Sequence, residues 1–93
     1  MAGMYSDKNY RRLRAKFRDH CHRNRLPCAI TGCGEPIDYT LATGPDCWQL
    51  DHHIPRSIRP DLFMTWSNFR PSHKRCNRAK SAQEPGQWVA PSW

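Results

Sequence analysis

Apolar residues recur at helical spacing near the start of the chain. An apolar stripe that repeats every three to four residues predicts a helix that runs to about Asn24. Ser6 or Asp7 can cap the start of this helix. The stripe consists of Tyr10, Leu13, Phe17 and Cys21. It predicts a helix that packs on the core by this face, and Pro27 is expected to end the helix.

Large apolar and polar side chains alternate from Trp48 to His52, which predicts a strand of about five residues. A further short strand is expected at Ile37 to Leu41, in a segment that otherwise consists of turns. A second helix is predicted over Ser72 to Ser81, since Pro71 precedes it and Ser72 can serve as its N-cap.

Four chemically distinctive residues share one face of this second predicted helix. They occupy positions i, i+3, i+4 and i+7 and are His73, Cys76, Asn77 and Lys80. A basic, solvated helix would account for the surrounding arginines, but not for a His, a Cys and an Asn on the same face. The strand, the loop after it and this helix could therefore enclose one metal ion.

The composition indicates a small protein whose core needs a bound metal or a covalent cross-link for stability. A chain of 93 residues with 38% hydrophobic residues and eight prolines can bury one modest core. There are five cysteines, and no segment resembles a secretory signal or is apolar enough to span a membrane. These features favour reduced thiols inside the cell, where cysteine clusters bind metal more often than they form disulfides.

Fifteen Lys and Arg residues against eight Asp and Glu residues give a net charge of +7. This excess favours a nucleic-acid partner over a membrane, since the chain lacks the broad apolar face of a membrane-surface helix. The first predicted helix is rich in basic residues that could neutralise a phosphate backbone. An ordinary solvated surface explains them equally well.

Two pairs of metal-binding residues are spaced as a zinc site requires. Cys28 and Cys33 flank a glycine-containing turn that can bring their sulfurs together. His73 and Cys76 supply a second pair, which predicts a structural zinc ion with four ligands. Cys47 could replace one of these ligands, although a buried thiol at a strand start is the commoner outcome.

Two stretches resemble the HNH endonuclease family, whose fold is the ββα-metal finger. They are LDHHIPRS at Leu50–Ser57 and SNFRPSHKRCNRAK at Ser67–Lys80, and the match covers Cys28 to Lys80. The resemblance implies a small zinc-stabilised α+β domain with an N-terminal basic helix. The residues and the resemblance together divide the chain into residues 1–27, a basic helix packed on the core; 28–81, the HNH domain with its zinc knuckle; and 82–93, an extended tail. Docking on the domain is the first expectation for Trp88 and Trp93 in this tail, and stacking on a base or contact with a partner are the alternatives.

The resemblance also implies roles for individual residues. Asp51 and Asn77 would hold a catalytic divalent ion, His52 would be the general base, and Asn68 would tie down the loop and orient His52. Asn77 stands where the family usually has His, which favours Mg²⁺ or Mn²⁺, with Ni²⁺ as a further candidate. On a regular strand Asp51 shares a face with His53, so a metal site could also be built from that pair.

Basic residues around the motifs could hold the DNA phosphates, since guanidinium presents paired donors to phosphate oxygens. They are Arg56, Arg59, Arg70, Arg75, Arg78 and Lys80. Ordinary surface charge is the alternative explanation for these residues.

The resemblance implies a metal-dependent DNA endonuclease or nickase that leaves 5′-phosphate and 3′-hydroxyl ends. The small size is typical of phage-encoded members, which would place the protein in the host cytoplasm, as a monomer or weak dimer. One alternative is a non-catalytic zinc module that binds nucleic acid. Another is a subunit of a phage DNA-packaging complex, with packaging proteins as partners.

Overall fold

The computed structural model describes residues 8–81. In chain order they form helix α1 (Lys8–Arg23), strand β1 (Trp48–His52), strand β2 (Phe69–His73) and helix α2 (Lys74–Ser81). Two short 3₁₀ turns, at Pro60–Leu62 and Trp66–Asn68, interrupt the loop between the strands. The predicted caps of α1 and the predicted tail at 82–93 lie outside the described residues. The α+β class is confirmed, and no helix of the described part is long and apolar enough to cross a membrane.

Strands β1 and β2 pair antiparallel, from Trp48 opposite His73 to His52 opposite Phe69. Strand β1 coincides with the residues predicted from their alternation. Successive side chains of a strand point to opposite faces, so the sheet has two different surfaces. One is apolar and faces α1, whereas the other places Asp51 directly opposite Arg70 and faces α2.

The second helix begins at Lys74 rather than at Ser72, so the predicted N-cap is wrong. Ser72 and His73 belong to β2, and the Ser72 hydroxyl donates to the Gln49 carbonyl across the sheet (2.8 Å). The backbone N–H of Lys74 donates to the Cys47 carbonyl at 2.9 Å, which ties the start of α2 to the residue before β1. His73 therefore stands at a strand end, immediately before the helix that carries Cys76.

Helix α1 ends through its own backbone before Pro27 is reached. The N–H of Leu26 donates to the Cys21 carbonyl (3.0 Å) and that of Arg25 to the His22 carbonyl (3.1 Å), which is the Schellman pattern. Arg25 takes the left-handed conformation that this pattern requires, with φ of 50°. A side-chain β-carbon makes that conformation unfavourable, and the two hydrogen bonds and the packing of Leu26 against the core oppose this cost.

The strand expected at Ile37 to Leu41 does not form. Asp38 instead accepts a hydrogen bond from the backbone N–H of Thr40 (3.0 Å), which closes a turn. Tyr39 is buried at this turn, and its hydroxyl donates to the Leu26 carbonyl at 2.7 Å.

The core lies between α1 and the apolar face of the sheet. Phe17 is its centre: the Phe17 ring contacts the rings of Trp48, Phe69 and Trp66 at centroid distances of 6.3, 5.4 and 5.1 Å. The buried apolar residues of this core are Phe17, Cys21, Cys28, Ile37, Tyr39, Trp48, Leu50 and Phe69. One sheet face and one helix supply most of it, which is little for a domain of this length.

Candidate active site and metal centre

Cys28, Cys33, His73 and Cys76 converge as predicted, and their ligand atoms all lie within 4.8 Å of one another. The His73 Nδ1 atom is 3.5 Å from the Cys33 Sγ atom and 3.8 Å from the Cys76 Sγ atom. Zinc bonds of about 2.3 Å to sulfur and 2.1 Å to nitrogen imply tetrahedral edges of roughly 3.6–3.8 Å. The four residues therefore fit one tetrahedral metal ion.

A tight turn brings the first two sulfurs together. The backbone N–H of Cys33 donates to the Ile30 carbonyl (3.1 Å), and Gly32 follows the bend with φ of 92°. The N–H of Ala29 donates to the Pro71 carbonyl at 2.9 Å, which fastens this turn to β2. The Cys28 and Cys33 sulfurs thus come to lie beside the end of that strand.

The imidazole of His73 is oriented for binding through one nitrogen. It is 3% exposed, and its Nε2 donates to the Pro36 carbonyl at 2.9 Å, which leaves the Nδ1 lone pair facing the sulfurs. A backbone hydrogen bond from Glu35 lowers the pKa of the Cys33 thiol to about 7, which favours the thiolate. Cys47 is buried elsewhere and is not part of this group.

His52 is held on the apolar side of the sheet. Its ring stacks on the Phe63 ring at 4.6 Å and meets the Phe69 ring edge-on at 5.5 Å. The His52 Nε2 atom lies 2.8 Å from the Phe63 carbonyl oxygen. Because a carbonyl can only accept, Nε2 carries the proton and Nδ1 carries the lone pair in the neutral ring. Burial lowers the pKa of His52 below 6.5, which favours that neutral, proton-accepting form.

Asn68 anchors the loop that supplies the Phe63 carbonyl. The Asn68 side chain accepts a hydrogen bond from the Ile54 N–H (2.9 Å) and donates to the carbonyls of Ile54 (3.1 Å) and Leu62 (3.3 Å). The backbone carbonyl of Asn68 also accepts a hydrogen bond from the backbone N–H of His53 at 2.8 Å. These bonds join the end of β1 to the loop, so Asn68 reaches His52 through the loop rather than by direct contact.

The carboxylate of Asp51 lies on the opposite face of the sheet and is only 2% exposed. The Lys80 ammonium donates to its Oδ1 (2.8 Å), and the Arg70 guanidinium donates to its Oδ2 (3.0 and 3.3 Å). Lys80 also donates to the His52 carbonyl at 2.7 Å. Two cations therefore neutralise one buried carboxylate, immediately beside the backbone of His52.

The amide of Asn77 donates to the Leu50 carbonyl (3.3 Å), which leaves its oxygen as the lone-pair donor. That oxygen and the Asp51 carboxylate are both hard ligands of the kind that Mg²⁺ and Mn²⁺ prefer. The donor set thus fits an oxygen-preferring ion. Such an ion would compete with the Lys80 ammonium for the same carboxylate.

The six basic residues expected to bind DNA have different surroundings in the structure. Arg70 and Lys80 are bound to Asp51, as described above. Arg59 pairs with Asp61 (2.8 Å) and Arg75 with Asp46 (2.6 Å), while the Arg56 guanidinium lies 5.4 Å from the centre of the Phe63 ring.

Arg78 lines an open groove beside α2, with a volume of about 340 Å³. Gln49, Lys74 and Asn77 line the groove with it. Sequence reasoning did not single out Gln49 or Lys74. Gln49 could have been found from strand alternation, because it must share a face with Asp51 two residues later.

Replacing Asp51 by asparagine is expected to destabilise the fold by about 3 kcal/mol, because two partly buried cations would lose their counter-charge and repel each other. Denaturant unfolding of the metal-loaded proteins, without added Mg²⁺, measures this difference in free energy. The matched control is Asp61→Asn, at an exposed pair with Arg59, which should change stability little. An Asp51→Asn protein as stable as the wild type would contradict this account of the ion pairs.

The HNH endonuclease family model matches residues 28–83. This is more than half of the chain, and it contains both the four-residue metal group and the Asp51–His52 pair. Comparisons with curated proteins and with solved structures gave no match. The chain therefore belongs to the HNH endonuclease family, which points to a nuclease or nucleic-acid-binding function.

Proposed function

We propose that the protein is a metal-dependent DNA endonuclease or nickase that hydrolyses phosphodiester bonds to 5′-phosphate and 3′-hydroxyl ends. The observation that carries the proposal is the state of His52. Its Nε2 is committed to the Phe63 carbonyl and its Nδ1 is the proton acceptor, which is what a general base needs. The proposal places the enzyme in the cytoplasm of a phage-infected cell, as a monomer or weak dimer.

In this proposal the chain's own residues activate the water and hold the substrate. His52 Nδ1 takes the proton from the attacking water. Asn68 is a positioning residue, since it fixes the loop whose carbonyl orients the His52 ring. When DNA binds, the Lys80 ammonium and the Arg70 guanidinium also contact the phosphate that is cut, and Arg78 binds a neighbouring phosphate.

Asp51 and Asn77 would hold a divalent ion, with Mg²⁺ or Mn²⁺ favoured over Ni²⁺ because both donors are oxygens. When bound, this ion supplies charge stabilisation at the phosphate and the departing oxygen. The group of Cys28, Cys33 and His73 with Cys76 would hold Zn²⁺ in a purely structural role, since all four protein ligands leave no open position. The two sites thus differ in donor chemistry and would select different metals.

The test is plasmid cleavage by protein that keeps its structural zinc but has been stripped of other divalent ions. We expect no cleavage until Mg²⁺, Mn²⁺ or Ni²⁺ is added, and then nicked or linear plasmid. DNA ligase should reseal the nicks, because it requires 5′-phosphate and 3′-hydroxyl ends.

A second candidate is a zinc-stabilised module that binds nucleic acid without cutting it, alone or in a phage packaging complex. The four-residue metal group and the net charge of +7 favour it, since both are explained without a role for Asp51 or His52. If no ion supports cleavage while the zinc-loaded protein still shifts DNA on a gel, this second function replaces the first.

A further inference from the structure

Helix α1 precedes the residues matched by the family model and carries a basic surface of its own. Four exposed side chains form this surface, which we call the basic ridge: Lys8, Arg11, Arg12 and Lys16. At about 100° per residue they fall within an arc of roughly 140°, on the side away from buried Phe17 and Cys21. Along the helix axis they span about 12 Å.

The ridge differs from the other basic residues of α1, which are already engaged. Arg23 pairs with Asp19, Arg18 donates to the Tyr39 carbonyl (2.7 Å), and Arg14 lies 4.9 Å from the centre of the Trp48 ring. Within residues 8–81, the four ridge side chains form no ion pair or hydrogen bond. In that described part of the chain, no acidic side chain therefore neutralises their charge.

Aromatic stacking joins the core-facing side of α1, opposite the ridge, to the proposed base. The Tyr10 ring stacks on the Phe63 ring (4.7 Å between centroids), and the opposite neighbour of Phe63 is the His52 ring (4.6 Å). Two ring spacings thus separate α1 from His52. Tyr10 lies about 170° round the helix from the middle of the ridge, so the ridge faces away from His52.

We propose that the basic ridge binds the phosphate backbone of duplex DNA, on the side of α1 that faces away from His52. Each DNA strand carries a phosphate about every 3.4 Å of duplex length, so 12 Å of helix can face three or four of them. Contacts to phosphate hold a duplex without reading its sequence, and the ridge would add to the affinity for DNA in this way. This inference rests on the proposed DNA substrate and adds a binding surface from outside the family domain.

The experiment compares the wild type with a variant in which all four ridge residues are replaced by glutamine. Binding to a duplex oligonucleotide is measured over a salt series with no catalytic ion present, so that cleavage cannot interfere. The slope of log K against log salt should become shallower by about 3, since each neutralised phosphate contributes about 0.9. Glutamine is a good helix former at exposed positions, and retained zinc and an unchanged Tm verify folding.

A matched control removes one charge of each sign from the same helix, as Arg23→Gln with Asp19→Asn, and should leave the slope unchanged. A ridge variant whose slope changes by less than about 1, or a control whose slope falls as much, overturns the proposal. Failure of the nuclease proposal can be distinguished from failure of the ridge proposal. If plasmid cleavage never occurs but the ridge slope falls, the ridge stands as a DNA-binding surface. If cleavage is normal and the slope is unchanged, only the ridge is refuted.

Discussion

Replacing His52 by alanine is expected to slow plasmid cleavage by about 10²–10⁴-fold, because general-base catalysis contributes this much. The loss should appear in the rate of the chemical step, measured under single-turnover conditions, and not in DNA affinity. His53→Ala provides the comparison at the neighbouring residue, and we expect less than about a 10-fold change for it. Comparing the two variants distinguishes His52, the base that the family resemblance implies, from His53, which strand geometry places on the same face as Asp51.

The His52 ring also contributes packing against Phe63 and Phe69, so its removal disturbs more than proton transfer. His52→Gln is the second variant, because its amide can still donate to the Phe63 carbonyl while lacking a basic nitrogen. It should be as inactive as His52→Ala and keep the wild-type Tm. Full activity in His52→Ala, with activity lost in His53→Ala, would place the base at His53.

Removing the metal from the group of Cys28, Cys33, His73 and Cys76 is expected to unfold the protein. Structural zinc contributes about 10–16 kcal/mol in small metal-binding domains, which is as large as the whole stability of an ordinary domain. The core here is small, and three of the four proposed ligands belong to it or pack against it: Cys28, Cys33 and Cys76. A strong chelator should therefore abolish the cooperative thermal transition, and one equivalent of Zn²⁺ should restore it.

The chain offers a matched control for this prediction. Cys28→Ser should release the metal, whereas Cys47→Ala, at a buried thiol outside the group, should keep one zinc per chain and melt only slightly lower. Equal zinc content in wild type and Cys28→Ser, or zinc loss in Cys47→Ala, would show that the four residues are not the ligands. A chelated protein that still unfolds cooperatively would contradict the structural role.

Local pattern was sufficient for some elements and misleading for others. The alternation from Trp48 to His52 predicted β1, and the stripe around Phe17 predicted α1 to within one residue of its end. Strand β2 was missed because Pro71 at its centre cannot donate to a ladder, which is a signal against a strand. Pairing with β1 overrides that signal. Ser72, which was predicted to cap the helix, donates its hydroxyl hydrogen bond to the Gln49 carbonyl instead.

The metal group was predictable because zinc ligands are few in kind and their spacing is restricted. The surroundings of Asp51 were not. The register of β2 places Arg70 opposite Asp51. The position at which α2 begins lets Lys80 reach the same carboxylate. Both depend on tertiary contacts between segments far apart in the chain, which no local pattern encodes.

The order of the four metal ligands along the chain has a consequence for protein synthesis. Cys28 and Cys33 emerge from the ribosome first and wait several seconds for the last ligand, at about 5–20 residues per second. Until Cys76 has emerged, the four-residue metal group is incomplete, and Asn77 and Lys80, which follow it, have not yet bonded to Leu50 and Asp51. On the proposed function, a nascent chain could not cut DNA before this segment has emerged. Completion of the four-residue metal group and formation of the Lys80–Asp51 ion pair both depend on the same segment, Cys76 to Lys80.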